Sequence, residues 1–194
     1  MRRFFLAVPL ADEVEITGGD ARHIGRVLRL KAGDEIIVVD PSGRAGRAVI
    51  ASVGPAAVRA RVREFLPGGR EPPVTVWLAQ GLTKGDKLEY IIQKAVETGV
   101  TGVIPLLTDH IAVSYDEDKR RRRHERWQSI AHEAAKQCGR DAVPAIAPIA
   151  TLAATLAAAG PDTAAIMLYE GEAGRGLKEV LAACREKSYL LLVG

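Results

Sequence analysis

The stretch VTVWLAQGLTKGDKLEYIIQKAVETGVTGVIPLL (Val74–Leu107) has the pattern of a strand, a helix and a second strand. Its first part, VTVWLAQ (Val74–Gln80), and its last part, TGVIPLL, are short apolar runs typical of buried strands. Between them, apolar residues recur at the i, i+3, i+4 spacing of a helix: Leu88, Ile91, Ile92, Ala95 and Val96. Gly99 stands where a helix commonly ends. The segment therefore predicts a β-α-β unit.

The sequence after this unit continues the alternation. A long helix ends at Cys138, and it is followed by a short helix (TLAATLAAAG), a strand (AAIMLYE), a helix (RGLKEVLAACREK) and a strand (SYLLLVG). Such alternation implies a parallel sheet covered by helices on both faces. Ligands bind beyond the carboxyl ends of the strands in these sheets. We therefore expect a site at Tyr169–Gly171 and Val193–Gly194.

A proline- and glycine-rich stretch, PGGREPP (Pro67–Pro73), separates this α/β pattern from the N-terminal part. It continues neither a helix nor a central strand. The residues before it are mostly β in pattern, with strands at RFFLAV, GDEIIVVD, RAVIASV and AVRARVREF. The last of these alternates, so we expect one buried face and one face lined by Arg59, Arg61 and Arg63. We predict a small β-barrel with one helix over 1–70 and an α/β domain over 71–194.

The helix of the N-terminal part is predicted at DARHIGRVLRL, with Asp20 as its N-cap. Its apolar face is expected to carry Ile24, Val27 and Leu28, and its opposite face Arg22, Arg26 and Arg29.

Charge is unevenly distributed along the chain. Residues 1–70 contain 12 Lys and Arg against 8 Asp and Glu, and 11 of the 12 bases are arginine. The planar guanidinium group suits phosphates and base edges, so this part is expected to face RNA or DNA. The apolar stretches are far shorter than the roughly 20 residues of a membrane span. The sequence thus predicts a cytoplasmic protein without a membrane-spanning or targeting segment.

Most other motifs in the chain are weak. The glycines of LYEGEAGRG have the spacing G-x-x-G-x-G, which is not that of a dinucleotide-binding loop, and no P-loop is present. The four histidines and two cysteines form no cluster with zinc spacing, so we expect no metal. Cys138 and Cys184 are interpreted as small core residues. The charge block DEDKRRRRHERW (Asp116–Trp127) fits either a solvated helix face or a phosphate-contacting surface.

Four ordered segments, HIGRVLRLKAGD, QGLTKGDKLEYIIQKAVETGVTGVIPL, RWQSIAHEAAKQCGRDAVP and the final LLVG, carry a resemblance over nearly the whole chain. They are similar to the ribosomal RNA small-subunit methyltransferase E family, the 16S rRNA uracil-N3 methyltransferases of the SPOUT class. The resemblance implies a PUA-like RNA-binding barrel followed by a parallel α/β domain with a trefoil knot. It also implies S-adenosylmethionine as methyl donor, 16S rRNA or the small ribosomal subunit as partner, and a homodimer.

Two features depart from the family pattern. Lys136 stands where the family commonly has Glu. The family pattern also continues beyond LLVG with a glycine-rich loop and the segment that forms the knot. We therefore expect Gly194 to be the first glycine of the cofactor loop, in a chain that lacks its knot segment.

The resemblance and the strand ends together nominate site residues. For the cofactor these are Leu168, Tyr169, Glu170 and Gly194. For RNA they are Arg2, Arg3, His23, Arg26, Arg29, Lys84 and Arg140. No catalytic residue is nominated. The alternative hypothesis is a non-enzymatic RNA-binding protein with a degenerate α/β domain.

Overall fold

The computed structural model describes residues 1–108 and 116–194, and His110 lies outside them. These residues form two compact units. The first consists of Met1–Glu71 with Ala135–Ala142, and the second of Pro72–Ala134 with Val143–Gly194. No helix in the described ranges is long and apolar enough to cross a membrane.

The first unit is built on a five-stranded mixed sheet. Its strands are β1 (Arg3–Phe5), β2 (Glu13–Thr17), β3 (Glu35–Val39), β4 (Ala45–Val53) and β5 (Ala57–Phe65). Their order is β1-β3-β4-β5-β2, in which β1 and β3 are parallel and every other pair is antiparallel. The register between β4 and β5 shifts twice, as β-bulges do when they bend a sheet. β2 was missed in the sequence because its five residues include two glutamates and few apolar residues.

Alternation along these strands produces the core of the first unit. Phe4, Ile36, Val38, Ile50 and Val58 are each at most 1% exposed. Burying one such side chain stabilises the fold by roughly 1.5–3 kcal/mol. The predicted strand pattern is confirmed here.

The turn between β3 and β4 is organised by the buried Asp40. Its carboxylate accepts hydrogen bonds from the backbone N–H of Leu10, the hydroxyl of Ser42 and the guanidinium of Arg44. Burial disfavours the charged form, but these hydrogen bonds outweigh it and hold the pKa of Asp40 well below its ordinary value. Asp40 thus fixes the path of the chain at this end of the sheet.

The helix of the first unit differs in detail from the prediction. Helix α1 (Gly18–Arg22) begins after Thr17 instead of Asp20, and it leads directly into a π-helical turn, His23–Val27. The π turn changes the angular spacing of the residues, so Ile24 is fully buried whereas Val27 is 66% exposed. The prediction that Val27 shares the buried face is wrong for this reason.

The second unit contains a six-stranded parallel sheet, as predicted. Its strands are β6 (Thr75–Gly81), β7 (Gly102–Leu107), β8 (Ala145–Ile146), β9 (Ala150–Thr151), β10 (Thr163–Leu168) and β11 (Ser188–Val193). The order is β10-β11-β6-β7-β8, with β9 also paired to β7. The strands β8 and β9 have only two residues each, which is too short to show a sequence pattern.

Helices α2 (Lys87–Thr98), α3 (Glu117–Cys138), α4 (Leu152–Ala158) and α5 (Leu177–Ala183) complete the described elements. On α2, Leu88, Ile92 and Val96 are buried as their spacing predicts. The helix ends at Gly99 with φ +103°, a left-handed conformation that favours glycine. Cys138, by contrast, is exposed and Cys184 is half-buried, so the prediction of a core position is wrong for Cys138. It falls in the last turn of α3, just beyond the buried Ala134 and Ala135.

Candidate active site and nucleic-acid surface

The carboxyl ends of three neighbouring strands lie side by side in the second unit. In the register of the sheet, Leu168 of β10 is opposite Val193 of β11, and Val193 is opposite Gln80 of β6. Residues that follow these positions therefore emerge at one edge of the sheet. This is the edge where parallel α/β proteins bind ligands.

A cavity of about 550 Å³ opens at the end of β10. Its walls come from β10 and the loop after it, and from Leu177 and Val180 of α5. Leu168, Tyr169 and Glu170, three of the residues nominated for the cofactor, are among its lining residues. The loop is shaped by Glu172, whose carboxylate accepts hydrogen bonds from the backbone N–H groups of Gly174 and Arg175.

The lining of this cavity combines apolar groups with two carboxylates and the guanidinium group of Arg175. Met167 and Leu168 are 56% and 43% exposed, although strands of parallel sheets are ordinarily buried. Glu170 and Glu172 add carboxylates to the same walls. Apolar surface suits an adenine ring, and carboxylates suit ribose hydroxyls and a cationic sulfur. The residues present therefore fit S-adenosylmethionine.

The ends of β6 and β11 approach each other closely. A methyl group placed on Gly81 would lie 3.2 Å from the Cα atom of Gly194, a tight contact that glycine avoids. The adjacent Gln80 is buried, and its Nε2 donates to the carbonyl of Gly81 at 3.2 Å and lies 3.5 Å from that of Val193. Gly194, the fourth nominated cofactor residue, thus lies beside the end of β6.

Thr83 and Lys84 follow Gly81 at this edge of the sheet. The sequence nominates Lys84 for RNA and assigns no role to Thr83. The Oγ1 atom of Thr83 is sealed from water and has no hydrogen-bond partner among the described residues. Lys84, nominated for RNA, is exposed. Gln80, a polar residue inside an apolar strand, is the sequence feature that points to this edge. No feature of the sequence points to Thr83.

Several nominated RNA-binding residues of the first unit are accessible to solvent. Arg26 and Arg29 are exposed and His23 is half-buried along the π turn, and Arg2 is exposed before β1. Within the described ranges, none of these three arginines has a carboxylate within ion-pair distance. Arg29 has φ +54°, a conformation uncommon for residues other than glycine, which ends the helical turn.

Two other nominated arginines form buried contacts within the protein. Arg3 is 4% exposed, donates a 2.8 Å hydrogen bond to the carbonyl of Arg140, and pairs with Asp141. Arg140 is 7% exposed and pairs with Glu71. The structure does not support RNA contacts for Arg3 and Arg140, because both guanidinium groups are buried against carboxylates.

Glu71 is the centre of this buried network. One carboxylate oxygen accepts hydrogen bonds from the backbone N–H groups of Asp141 at 2.8 Å and Ala142 at 3.1 Å. The other accepts from the Nε atom of Arg140 at 3.1 Å. Burial raises the pKa of Glu71, but the hydrogen bonds and charge of Arg140 and the two backbone donors outweigh it, and the pKa is lowered overall. The network binds the segment 140–142 into the first unit.

The arginine-lined face of β5 is also less available than predicted. Arg59 and Arg61 pair with Glu15 and Glu13 of the neighbouring β2 at 3.1 and 2.7 Å. These pairs are exposed and stabilise little, about 0–1 kcal/mol each, but they neutralise two of the three arginines of this face. Arg63, the third, is exposed.

The charge block of α3 also contains internal pairs. Arg121 pairs with Asp118 at 2.8 Å, and Arg126 pairs with Glu89 of α2 at 2.6 Å. These contacts favour the interpretation of a solvated helix face. No group of three or more His, Cys, Asp or Glu residues in the described part of the chain could hold a metal ion.

Comparison with known proteins identifies the family. A family model described as an RNA methyltransferase domain matches residues 70–194, and one described as an RNA methyltransferase PUA domain matches residues 16–63. The ribosomal RNA small subunit methyltransferase E of Bacillus subtilis (strain 168) is 32% identical over 202 residues, which cover 100% of this chain and 79% of the relative. The chain belongs to the ribosomal RNA small subunit methyltransferase E family.

Other members and structures agree with this assignment. The methyltransferase E of Synechocystis sp. (strain ATCC 27184 / PCC 6803 / Kazusa) is 35% identical over 79% of this chain and 49% of the relative. The crystal structure of a methyltransferase E from Neisseria gonorrhoeae, bound to S-adenosyl methionine, has a TM-score of 0.89 at 25% identity. It is matched over 100% of this chain and 79% of that one. The predicted family and fold class, a PUA-like β unit and a parallel α/β unit of the methyltransferase E type, are confirmed.

Proposed function

We propose that this protein transfers a methyl group from S-adenosylmethionine to N3 of a uridine in 16S rRNA of the small ribosomal subunit. The observation that carries the proposal is the match to methyltransferase E over the whole chain, combined with a cavity at the carboxyl edge of the parallel sheet. The substrate atom, N3 of uracil, rests on the family resemblance of the sequence motifs.

The chemistry makes three demands on the protein. Uracil N3 lies on the Watson–Crick edge, so the base must be unpaired or flipped before it can react. The N3 proton must leave, and negative charge then spreads to O2 and O4, where a cation or donor is needed. When bound, S-adenosylmethionine supplies a methyl group on a cationic sulfur that is already activated.

The protein's part at the cofactor is therefore binding and orientation. We assign this role to Leu168, Tyr169, Glu170 and Gly194. The exposed Leu168 offers apolar contact, and the carboxylate of Glu170 offers a hydrogen-bond acceptor. Holding the donor and the base in line converts a bimolecular encounter into a unimolecular step, which lowers the barrier substantially.

RNA binding is assigned to the basic surface of the first unit, through Arg2, His23, Arg26 and Arg29. Their exposure and the absence of carboxylate partners among the described residues support this role. Arginines of this kind contact phosphates and position the RNA without reading its sequence. Lys84, at the carboxyl edge of the sheet, is assigned to RNA in the second unit.

The assembly and location of the protein follow from the same proposal. We infer a homodimer from the family resemblance, and a cytoplasmic location because the substrate is ribosomal RNA. The small ribosomal subunit, or its rRNA, is the proposed partner.

Methyl transfer from tritiated S-adenosylmethionine to small subunits that lack the modification tests the proposal. Nuclease digestion and chromatography should place the label in N3-methyluridine. Label in another nucleoside would overturn the N3 assignment. Tight rRNA binding without any transfer would favour the alternative, a non-enzymatic RNA-binding protein.

A further inference from the structure

The loop after β6 brings an unusual pair of residues to the carboxyl edge of the sheet. The backbone N–H of Leu82 donates to the carbonyl of Leu106 at 2.9 Å, so the chain continues along β7 beyond the end of β6. Thr83 and Lys84 follow immediately. They come two and three residues after Gly81, which is in close contact with Gly194.

The hydroxyl of Thr83 has no structural use in the described residues. Only two buried side-chain nitrogen or oxygen atoms there lack a hydrogen-bond partner, namely Arg3 Nη2 and Thr83 Oγ1. Arg3 already uses its other nitrogen atom in the buried ion network. Buried polar groups in proteins are nearly always paired, so the Thr83 hydroxyl calls for a partner from outside the fold.

Thr83 as a residue is partly exposed although its Oγ1 atom is sealed from water. A bound base would therefore meet this hydroxyl only after a change of χ1 rotamer, of which threonine adopts more than one. Lys84 beside it is exposed, and no carboxylate of the described residues, Asp86 included, lies within ion-pair distance of it.

We propose that Thr83 and Lys84 recognise the uracil ring and stabilise its anion, an inference that rests on the proposed function. The Thr83 hydroxyl donates a hydrogen bond to one uracil carbonyl, and the Lys84 ammonium neutralises the charge that develops on the carbonyls. The N3 proton leaves to solvent. The N3 electron pair then forms the new N–CH₃ bond while the S–CH₃ pair returns to sulfur, so charge and atoms balance.

Single-turnover methyl transfer to unmodified small subunits tests the pair. Thr83→Val and Lys84→Ala each remove one interaction with the anion and should slow the chemical step about 100-fold, the usual effect of losing one such donor. Thr83→Ser and Lys84→Arg keep the hydroxyl and the charge, and should retain most of the rate. Lys187→Ala is the matched control, because Lys187 is an exposed lysine before the amino end of β11, at the opposite edge of the sheet.

Two further measurements separate chemistry from folding. Calorimetric binding of S-adenosylmethionine should be the same in wild type, Thr83→Val and Lys84→Ala. The rate of Lys84→Ala should rise with pH over a more alkaline range than that of wild type, because the uracil anion has lost its neighbouring cation. A purely structural role for Lys84 would not move this profile.

The outcomes are distinguishable. An active wild type with equally active Thr83→Val and Lys84→Ala variants would overturn this inference and leave the proposed function standing. A rate loss with an unshifted pH profile would overturn the role of Lys84. A wild type that transfers no methyl group would overturn the proposed function and this inference with it.

Discussion

Leu168 is the strand residue to which we assign cofactor binding instead of packing. It is the last residue of β10 and lies beside Val193 of β11, yet it is 43% exposed where it lines the cavity. An apolar group in that position is costly in water unless a ligand covers it.

Leu168→Asp should therefore weaken binding of S-adenosylmethionine at least tenfold, which corresponds to about 1.4 kcal/mol. Leu181→Asp on α5 is the matched control. It is 41% exposed but is not among the residues that line the cavity, so its affinity should stay at the wild-type value. Calorimetric titration compares the two, and equal affinity of both variants would contradict the placement of the cofactor.

Glu71 shows the opposite use of a charged residue, as a structural anchor. Glu71→Gln removes the carboxylate that pairs with the buried Arg140. The free energy of unfolding should fall at neutral pH, by less than the roughly 3 kcal/mol of a fully buried pair because the Glu71 side chain is 31% exposed. Because the pKa of Glu71 is lowered in the folded protein, its contribution is complete above the ordinary value of 4.5 and is lost as pH falls through the folded value. Urea unfolding of both proteins across this range should show the difference shrinking at acidic pH. A difference that stays constant there would rule out the ionised Glu71 as its source.

At the scale of elements, the π turn determines which basic residues face solvent. Arg26 on this turn and Arg29 just after it are exposed without acidic partners among the described residues, whereas Arg59 and Arg61 on β5 are paired with glutamates. We therefore expect Arg26 and Arg29 to contribute more to RNA binding than Arg59 and Arg61.

The double variant Arg26→Ala, Arg29→Ala should weaken rRNA binding and reduce the slope of log K against log salt by about 1.5, since each phosphate contact releases counterions. Arg59→Ala, Arg61→Ala is the control and should change the slope much less. Filter binding at several salt concentrations measures both. The same slope in the two double variants would show that the π turn is not the RNA-facing element.

The same elements show what the sequence could and could not predict. Apolar residues at helical spacing located α2, and short continuous apolar runs located the strands β6, β7 and β11. The π turn could not be predicted, since a single changed step in helical spacing leaves no trace in composition. The burial of Arg3 and Arg140 was equally hidden, because their partners Asp141 and Glu71 are 138 and 69 residues away. The proposed cofactor rim follows from the strand pattern, whereas the unpaired hydroxyl of Thr83 is evident only in the folded structure.

At the scale of the whole molecule, the number of chains in the assembly can be tested directly. A stripe of small residues on α3 is a surface on which the helices of two chains could pack closely. Ala131, Ala134 and Ala135 are already buried within a single chain, so that stripe is not free for a partner.

We still predict a homodimer, on the family resemblance alone. Light scattering coupled to size exclusion at micromolar concentration should give about twice the chain mass of 20.8 kDa. A mass that stays at 20.8 kDa over a tenfold range of concentration would contradict the dimer.

The segment 135–142 belongs to the first unit although more than 60 intervening residues belong to the second. A chain emerging from the ribosome grows from its amino end, so Arg3 and Glu71 are synthesised long before Arg140 and Asp141 exist. Until then, two charged side chains of the nascent first unit must remain hydrated instead of buried. The amino-terminal unit therefore cannot finish folding until the second unit's residues up to 134 have also been made.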